Sequence, residues 1–224
     1  MPWSALGALA LVALTTSLGF WQLNRAQEKI EIGERLQQIR AAPPLSIAAG
    51  EINPAAYDLR RIIAEGVFDR ASTIYLDNKV REGTAGYEVI SLLKMESGRK
   101  PVLVNRGWAA QGATREVLPS VPTPEGEVTI QGVAMVPSGK VLELSDQTIE
   151  GRVWQNLNLA RYREVYGVDV QPFILLQESE APDGLARDWR PRDTGADKHR
   201  AYAVQWFALA VLTIIFYFAV GRKT

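Results

Sequence analysis

The chain contains no cysteine and a single histidine, His199. The first absence excludes a cysteine nucleophile, a thiolate metal cluster and any disulfide, and it agrees with an oxidising compartment without requiring one. The second excludes a zinc or iron centre built from several histidines. Net charge is missing too, with 25 Lys and Arg against 25 Asp and Glu. Without a basic excess, no nucleic acid is expected as a partner. No GxSxG, phosphate-loop or GxGxxG string occurs, so neither a nucleophile elbow nor a nucleotide cradle is marked. The aspartates at 183, 188, 193 and 197 are too widely spaced for a calcium loop of alternating acidic ligands, and read as a hydrated segment at a membrane surface. Nothing marks a serine that could join His199 in a triad. No catalytic residue is assigned, and the chain does not read as an enzyme.

Charge is also missing locally, at both ends. No side chain is charged before Arg25, and none between Ala201 and Gly221. Trp3–Trp21 (WSALGALALVALTTSLGFW) has about 19 residues, which as a helix span roughly 28 Å, one hydrocarbon thickness. Ala203–Val220 (AVQWFALAVLTIIFYFAV) is of similar length. Aromatic residues flank both: Trp3 and Trp21 on the first, Tyr202, Trp206 and Tyr217 on the second. That is the pattern of interfacial belts. The first run lacks a basic leader and a small-residue cleavage site, so it reads as an uncleaved span. Arg222 and Lys223 close the second run like a stop-transfer signal. Two spans place both termini on one side. The basic tail favours a cytoplasmic end, although Arg25, Lys29, Arg187, Arg190, Arg192, Lys198 and Arg200 lie on the loop side. Long loops translocate largely regardless of charge, so the large loop is expected outside the cytoplasm.

The expected fold class is a membrane protein with two transmembrane helices flanking a mainly antiparallel β (α+β) extracytoplasmic domain. Residues 3–21 form the first membrane helix and 203–220 the second. Residues 25–40 (RAQEKIEIGERLQQIR) extend the first helix, with Ile32, Leu36 and Ile39 at helical spacing. The Pro- and Gly-containing run after it reads as a linker. A β-rich domain over 57–182 follows, then a polar connecting segment over 183–200. Within the domain, 59–68 and 73–80 read as strands around a short turn. Residues 87–95 and 100–109 flank the hairpin string ESGR, 127–136 and 171–179 are further strands, and 157–167 is a helix ended by Gly167. A sheet or partial barrel with one or two helices results.

The chemistry-bearing residues gather at the membrane boundaries. On a helix, His199, Tyr202, Ala203, Trp206 and Ala210 share one face. An imidazole above a phenol, an indole and two small side chains would suit a flat macrocycle with His199 as axial ligand, and Arg200 and Arg25 would neutralise its propionates. The same residues also suit an ordinary interface, with the histidine bonded to lipid headgroups, and on physics alone both readings stand. At the other boundary, Trp21 and Arg25 are at cation–π spacing, and Gln22 stands one turn before Arg25. Anchoring of helix depth is their first reading, followed by pairing with the second helix. The string VNRGW ends a predicted strand. Asn105 and Gly107 suit a turn or bulge, Trp108 a packed edge, and Arg106 a buried or interfacial ion pair, so these read as structural first and partner-contacting second.

Five strings together resemble one family. GFWQLNRAQEK (19–29), LDNKVREGTAGYEVI (76–90), VLVNRGW (102–108), VWQNLNL (153–159) and HRAYAVQWFALA (199–210) are similar, in order, to the blocks of the surfeit-locus cytochrome c oxidase assembly proteins. They cover nearly the whole chain. The resemblance implies a multi-pass protein of the bacterial inner membrane, with both termini cytoplasmic and the main domain periplasmic. It implies an assembly factor for heme-copper cytochrome c oxidase, acting where heme a reaches the catalytic subunit. Heme a, held transiently, is the implied cofactor, and His199 its implied axial ligand. The implied partners are the catalytic subunit, the heme a synthesis machinery and membrane lipid. A cofactor-free membrane scaffold, stabilising an oxidase assembly intermediate, is the alternative.

Overall fold

A computed structural model describes residues 2–96, 99–112, 117–137, 149–189 and 195–221. Ser97 and Gly98 of the hairpin string, Arg190, Arg192 and Asp193, and the closing Arg222 and Lys223 lie outside the described residues. The chain divides into two compact units, one of Met1–Gln38 with Pro191–Thr224 and one of Ile39–Arg190.

The first unit is a helix pair. Helix α1 runs unbroken over Pro2–Ala41, so the expected membrane helix and its polar extension are one element about 60 Å long at 1.5 Å per residue. The partner helix, at the C-terminal end of the described chain, covers Ala196–Gly221. It begins before the expected 203 and takes in the last residues of the segment read as polar connector. Both helices are long and apolar enough to cross a bilayer. Their outward residues are large and apolar: Leu6, Leu9, Leu14 and Phe20 on one, Val204, Leu212, Phe216 and Phe218 on the other, all exposed. In water such a surface would be costly, and in hydrocarbon it is matched to its solvent. Thr15 satisfies its hydroxyl on Leu11 O at 2.8 Å and Thr213 on Leu209 O at 2.8 Å, as polar side chains in an apolar medium must.

The second unit is built on strands. These are β1 (Leu45–Ser46), β2 (Arg61–Arg81), β3 (Thr84–Met95), β4 (Val102–Ala110), β5 (Glu127–Met135), β6 (Ile149–Glu150), β7 (Val153–Trp154) and β8 (Ile174–Gln177), with short helices α2 (Pro54–Tyr57) and α3 (Leu159–Tyr166). The helix over Ala196–Gly221 is then α4. Strand β2 pairs antiparallel with β3, β3 with β4, and β5 with both β8 and β2, while β4 and β8 pair in parallel. The ring β2–β3–β4–β8–β5 therefore closes on itself. Parallel additions of β1 and β7 to β2 complete a mixed, mainly antiparallel sheet.

Three expectations are corrected. The strands read over 59–68 and 73–80 are one strand, β2. The polar DRAST stretch between them is an irregularity in which Arg70–Thr73 face only Ser91 of β3. The Asp69 carboxylate accepts from Ala71 N at 3.1 Å within it, a local turn-like bond, and pairing with β3 resumes at Ile74, so the stretch stays in the strand. Next, the Pro-rich linker belongs to the domain. Ile47 is 1% exposed in the core, and Asn53 caps α2 by accepting from Ala55 N at 3.1 Å. Pro54 occupies the first helical position, where its missing N–H costs nothing. Tyr57 then stacks on Phe173, with ring centroids 5.3 Å apart. Lastly, the segment after 182 is not all hydrated connector, because Asp183, Leu185 and Ala186 are built into the domain, as described below.

The alternation of the strands explains the core. Leu93, Val104 and Leu175 join Ile62, Phe68 and Phe173 in one cluster. Their strand neighbours Leu92, Leu103 and Ile174 face the other way, into a second cluster with Trp154 and Tyr162. Sheet residues on both faces are thus buried, which is why these strands read as near-continuous apolar runs. Helix α3 seals the second cluster. Asn158 caps it by accepting from Ala160 N and Arg161 N, and Gly167 ends it in the left-handed conformation at φ 66°. The hairpin β2–β3 turns on Glu82 and Gly83, both at positive φ, a type I′ pair matched to strand twist.

Candidate functional site

The helix pair holds the first group of singled-out residues. Gln22 and His199, one from each membrane boundary, meet: His199 Nδ1 lies 2.7 Å from Gln22 Oε1. An amide oxygen only accepts, so Nδ1 carries the proton and donates. In the neutral ring this tautomer would leave the lone pair on Nε2, which makes no hydrogen bond among the described residues. One turn along α4, Ala203 is fully buried, and at the next Phe207 lies against α1. A side chain on Gly19 would place its Cβ 2.5 Å from the Phe207 ring, so only glycine admits this approach. Phe207 also meets Phe20 edge-on at 5.3 Å between centroids. Small or polar residues at 15, 19, 22 and 26 of α1 thus face His199, Ala203, Phe207 and Ala210 of α4. That spacing is the close-packed, small-residue seam of membrane helices.

This arrangement differs from the face expected of the sequence. The side of α4 carrying His199, Ala203 and Ala210 is turned to α1, and Ala203 and Ala210 are buried. A macrocycle cannot lie flat over them. Tyr202, 52% exposed, and the half-buried Trp206 stand at the rim of the seam. Arg25 donates from Nη1 to Glu28 at 2.6 Å, instead of stacking on Trp21, and Arg200 lies 3.5 Å from Asp197. Both pairs are exposed, and such pairs are worth at most about 1 kcal/mol, so either cation is exchangeable toward another anion. His199 with its open Nε2 and the weakly paired Arg25 and Arg200 are the groups that would hold an anionic macrocycle, if one binds here. Among the described residues, no cluster of His, Cys, Asp and Glu suits a bare metal ion.

The second group lies in the β domain. The string VNRGW sits in the middle of β4. Val89 of β3 faces Gly107 and Ile90 faces Asn105, so Arg106 is the extra residue of a bulge. Gly107 takes φ 138°, and a Cβ there would meet Ala186 O at 2.8 Å. Asn105 closes the bulge, accepting from Gly107 N at 3.2 Å and donating to Glu88 at 2.9 Å. Trp108 exchanges backbone bonds of 2.8 and 2.9 Å with Ala186, donates from its indole to Lys79 O, and covers Gly86.

The bulge throws the Arg106 side chain into the interior, where it is 1% exposed. Its Nη2 donates to Asp183 Oδ2 at 2.9 Å and to Pro122 O at 2.6 Å, and its Nη1 to Thr123 Oγ1 at 3.3 Å. The guanidinium lies 5.2 Å from the centre of the Phe68 ring. Arg187 reaches the same Asp183 oxygen at 2.5 Å. Burial pulls the Arg106 guanidinium below its usual value, against the opposing field of Asp183. The sequence marked Arg106 and gave no sign of Asp183, whose partner lies 77 residues away.

One unit of two apolar helices, with a lone imidazole in their seam, and a second unit built on a closed β ring describe a membrane protein with one folded domain between its two spans in sequence. The chain belongs to the SURF1 family, whose model matches residues 9–211. Its sequence is similar to Surfeit locus protein 1 of Takifugu rubripes, 24% identical over 94% of each chain. It is similar also to a SURF1-like protein of Rickettsia conorii, 26% identical over 92% of this chain and 86% of that one. A SURF1-like protein of Rickettsia bellii is 27% identical over 89% and 83%.

Proposed function

We propose that this protein is a heme a-handling assembly factor for a heme-copper cytochrome c oxidase, sited in a bacterial inner membrane with its β domain in the periplasm and both termini in the cytoplasm. Family membership supports the oxidase assignment. The observation that carries the cofactor assignment is the Gln22–His199 bond. A hydrogen bond to the far nitrogen of a ligating imidazole fixes tautomer and ring orientation, and it is the usual partner of a histidine that binds metal. Here it leaves Nε2 as the donor atom, at the depth where an apolar, membrane-dwelling cargo would arrive.

The residues divide the work simply. His199 would supply a ligand to the heme iron, and a single ligand of this kind would be readily surrendered to a recipient site. Gln22 holds its ring. Arg25 and Arg200 exchange their weak pairs with Glu28 and Asp197 for the propionates of the cargo. Tyr202 and Trp206 provide apolar contact at the rim. The recipient is the oxidase catalytic subunit, and the donor is the machinery that makes heme a.

The test is an absorption spectrum of detergent-purified protein from cells that make heme a, beside His199→Ala, together with oxidase activity at normal expression. A reduced heme a band that disappears or shifts in the variant, with oxidase activity lowered, is the expected result. Heme absent from both proteins, with activity intact in His199→Ala, would make the chain a cofactor-free scaffold.

A further inference from the structure

A cleft of about 370 Å³ opens in the β domain beside the Arg106 bulge. Its walls bring together Arg70 of β2, Arg106 of β4 and Arg152 just before β7, with Tyr75 and the 119–123 loop. Among the described residues no carboxylate lines it. Two exposed guanidiniums, Arg70 and Arg152, border one small cavity with the buried Arg106 in its wall, an unfavourable gathering of like charge that bonds to neutral backbone oxygens help to hold in place.

Arg152 donates from Nε to Thr73 O at 2.8 Å and from Nη2 to Arg70 O at 3.4 Å, and lies 5.5 Å over the Tyr75 ring. Arg70 donates to Thr123 O at 2.9 Å. Arg106 bonds Pro122 and Thr123 of the same loop. These bonds are to neutral oxygens, and Arg152 has no carboxylate partner among the described residues. The carboxylates nearby do little for the balance. Glu125 meets Arg70 at 3.1 Å, but its side chain is 84% exposed. Asp183 stands behind Arg106 and is shared with Arg187, so that two buried guanidiniums have one carboxylate between them. The Nε atoms of Arg106 and Arg187 are buried and have no partner among the described residues. A buried cation in excess is costly unless an anion compensates it.

We infer that this cleft is an oxyanion site, taking a carboxylate or phosphate group between the exposed Arg70 and Arg152, with the buried Arg106 adding positive field from the wall. Guanidinium forks match both groups in a paired, charge-assisted geometry. Preset cations lose little freedom on binding, which is where affinity for small groups is otherwise lost. The site lies wholly in the β domain and stands independently of the heme reading.

The test uses full-length protein in neutral detergent, with chloride replaced at constant ionic strength by inorganic phosphate, acetate or triglutamate. The readout is the unfolding temperature. Wild-type protein is expected to show a saturable rise with phosphate or acetate. In Arg70→Gln and Arg152→Gln the half-saturating concentration is expected to rise about tenfold, as when one charge-assisted bond is removed. Arg35→Gln, a change on α1, is expected to match wild type. Arg70 is 60% exposed at its side chain, so its variant keeps the fold and the comparison survives any failure of Arg152→Gln. Citrate, matched to triglutamate in net charge, is run beside it: tighter binding of triglutamate assigns the group to a polypeptide and equal binding to a free small anion, and both uphold the site. A rise that does not saturate, or one equal in all four proteins, overturns it.

Discussion

His199 Nδ1 and Gln22 Oε1 are joined by a 2.7 Å hydrogen bond across 177 residues of chain. The bond ties α1 to α4 and selects the tautomer of the only imidazole in the protein. In Gln22→Leu the ring loses its partner, and heme a retention is expected to fall 10- to 100-fold, the usual cost of removing such a support. Gln22→Glu keeps an acceptor and makes the ligand more basic, so heme is expected to stay, at a lower reduction potential. Heme titration and potentiometry of the two variants measure this. Equal retention in Gln22→Leu would show that the bond serves helix pairing only.

The seam itself is tested at Gly19. Gly19→Val drives two methyl groups toward the Phe207 ring, which already stands 2.5 Å from an added Cβ. Loss of the helix pair is expected, read as a lower unfolding temperature in detergent. Phe207→Ala opens that space, so the double variant is expected to recover part of the loss. A double-mutant cycle with no coupling would place the contact elsewhere.

Asp183→Asn leaves Arg106 and Arg187 buried without a counter-charge. A loss of about 3–5 kcal/mol is expected in denaturant unfolding, as for breaking a buried pair. Arg106→Met, by contrast, leaves Asp183 paired one-to-one with Arg187 and is expected to cost less. The reverse order would mean that the Pro122 and Thr123 bonds of Arg106 matter more than the charge balance.

Tyr162 donates its hydroxyl to Ser72 O at 2.8 Å in a fully buried site. Burial pushes its ionisation well above the ordinary value of 10.0. The folded protein therefore keeps this proton where the unfolded chain releases it. Stability from this group is complete below about pH 10 and declines as pH rises beyond it. Unfolding measured from pH 8 to 11 is expected to show this decline, and Tyr162→Phe to flatten it at a cost of about 1 kcal/mol at neutral pH. An unchanged slope in the variant would assign the decline to other groups.

Much of this architecture was legible in periodicity and punctuation. The two apolar membrane runs, the Gly167 stop of α3, and the apolar runs of β3, β4 and β5 are local signals. What was not legible depends on partners distant in sequence. DRAST carries the composition of a turn, yet the ladder with β3 holds it extended as an irregularity of β2. Ile47 looked like a lone apolar residue in a linker because β1 is only two residues long and borrows its order from β2. Asp183 had the look of a hydrated acid because the arginine that buries it lies on another strand. At the site, Gln22 and His199 were each visible at its own boundary. Their meeting needed the antiparallel return of the chain, and that same meeting turned the Ala203 face inward and away from any ligand.

The closed ring β2–β3–β4–β8–β5 has a consequence for assembly. Along the stretches paired on both sides, such as Gly86–Leu93 of β3 and Gly132–Val133 of β5, no backbone row is left to accept a strand from another polypeptide. Recognition by strand addition, one of the commoner ways that chaperones grip an incomplete client, is closed to this part of the domain. Any polypeptide that docks on the paired part of the ring would meet side chains and loops, and its release would exchange a few contacts rather than unzip a ladder.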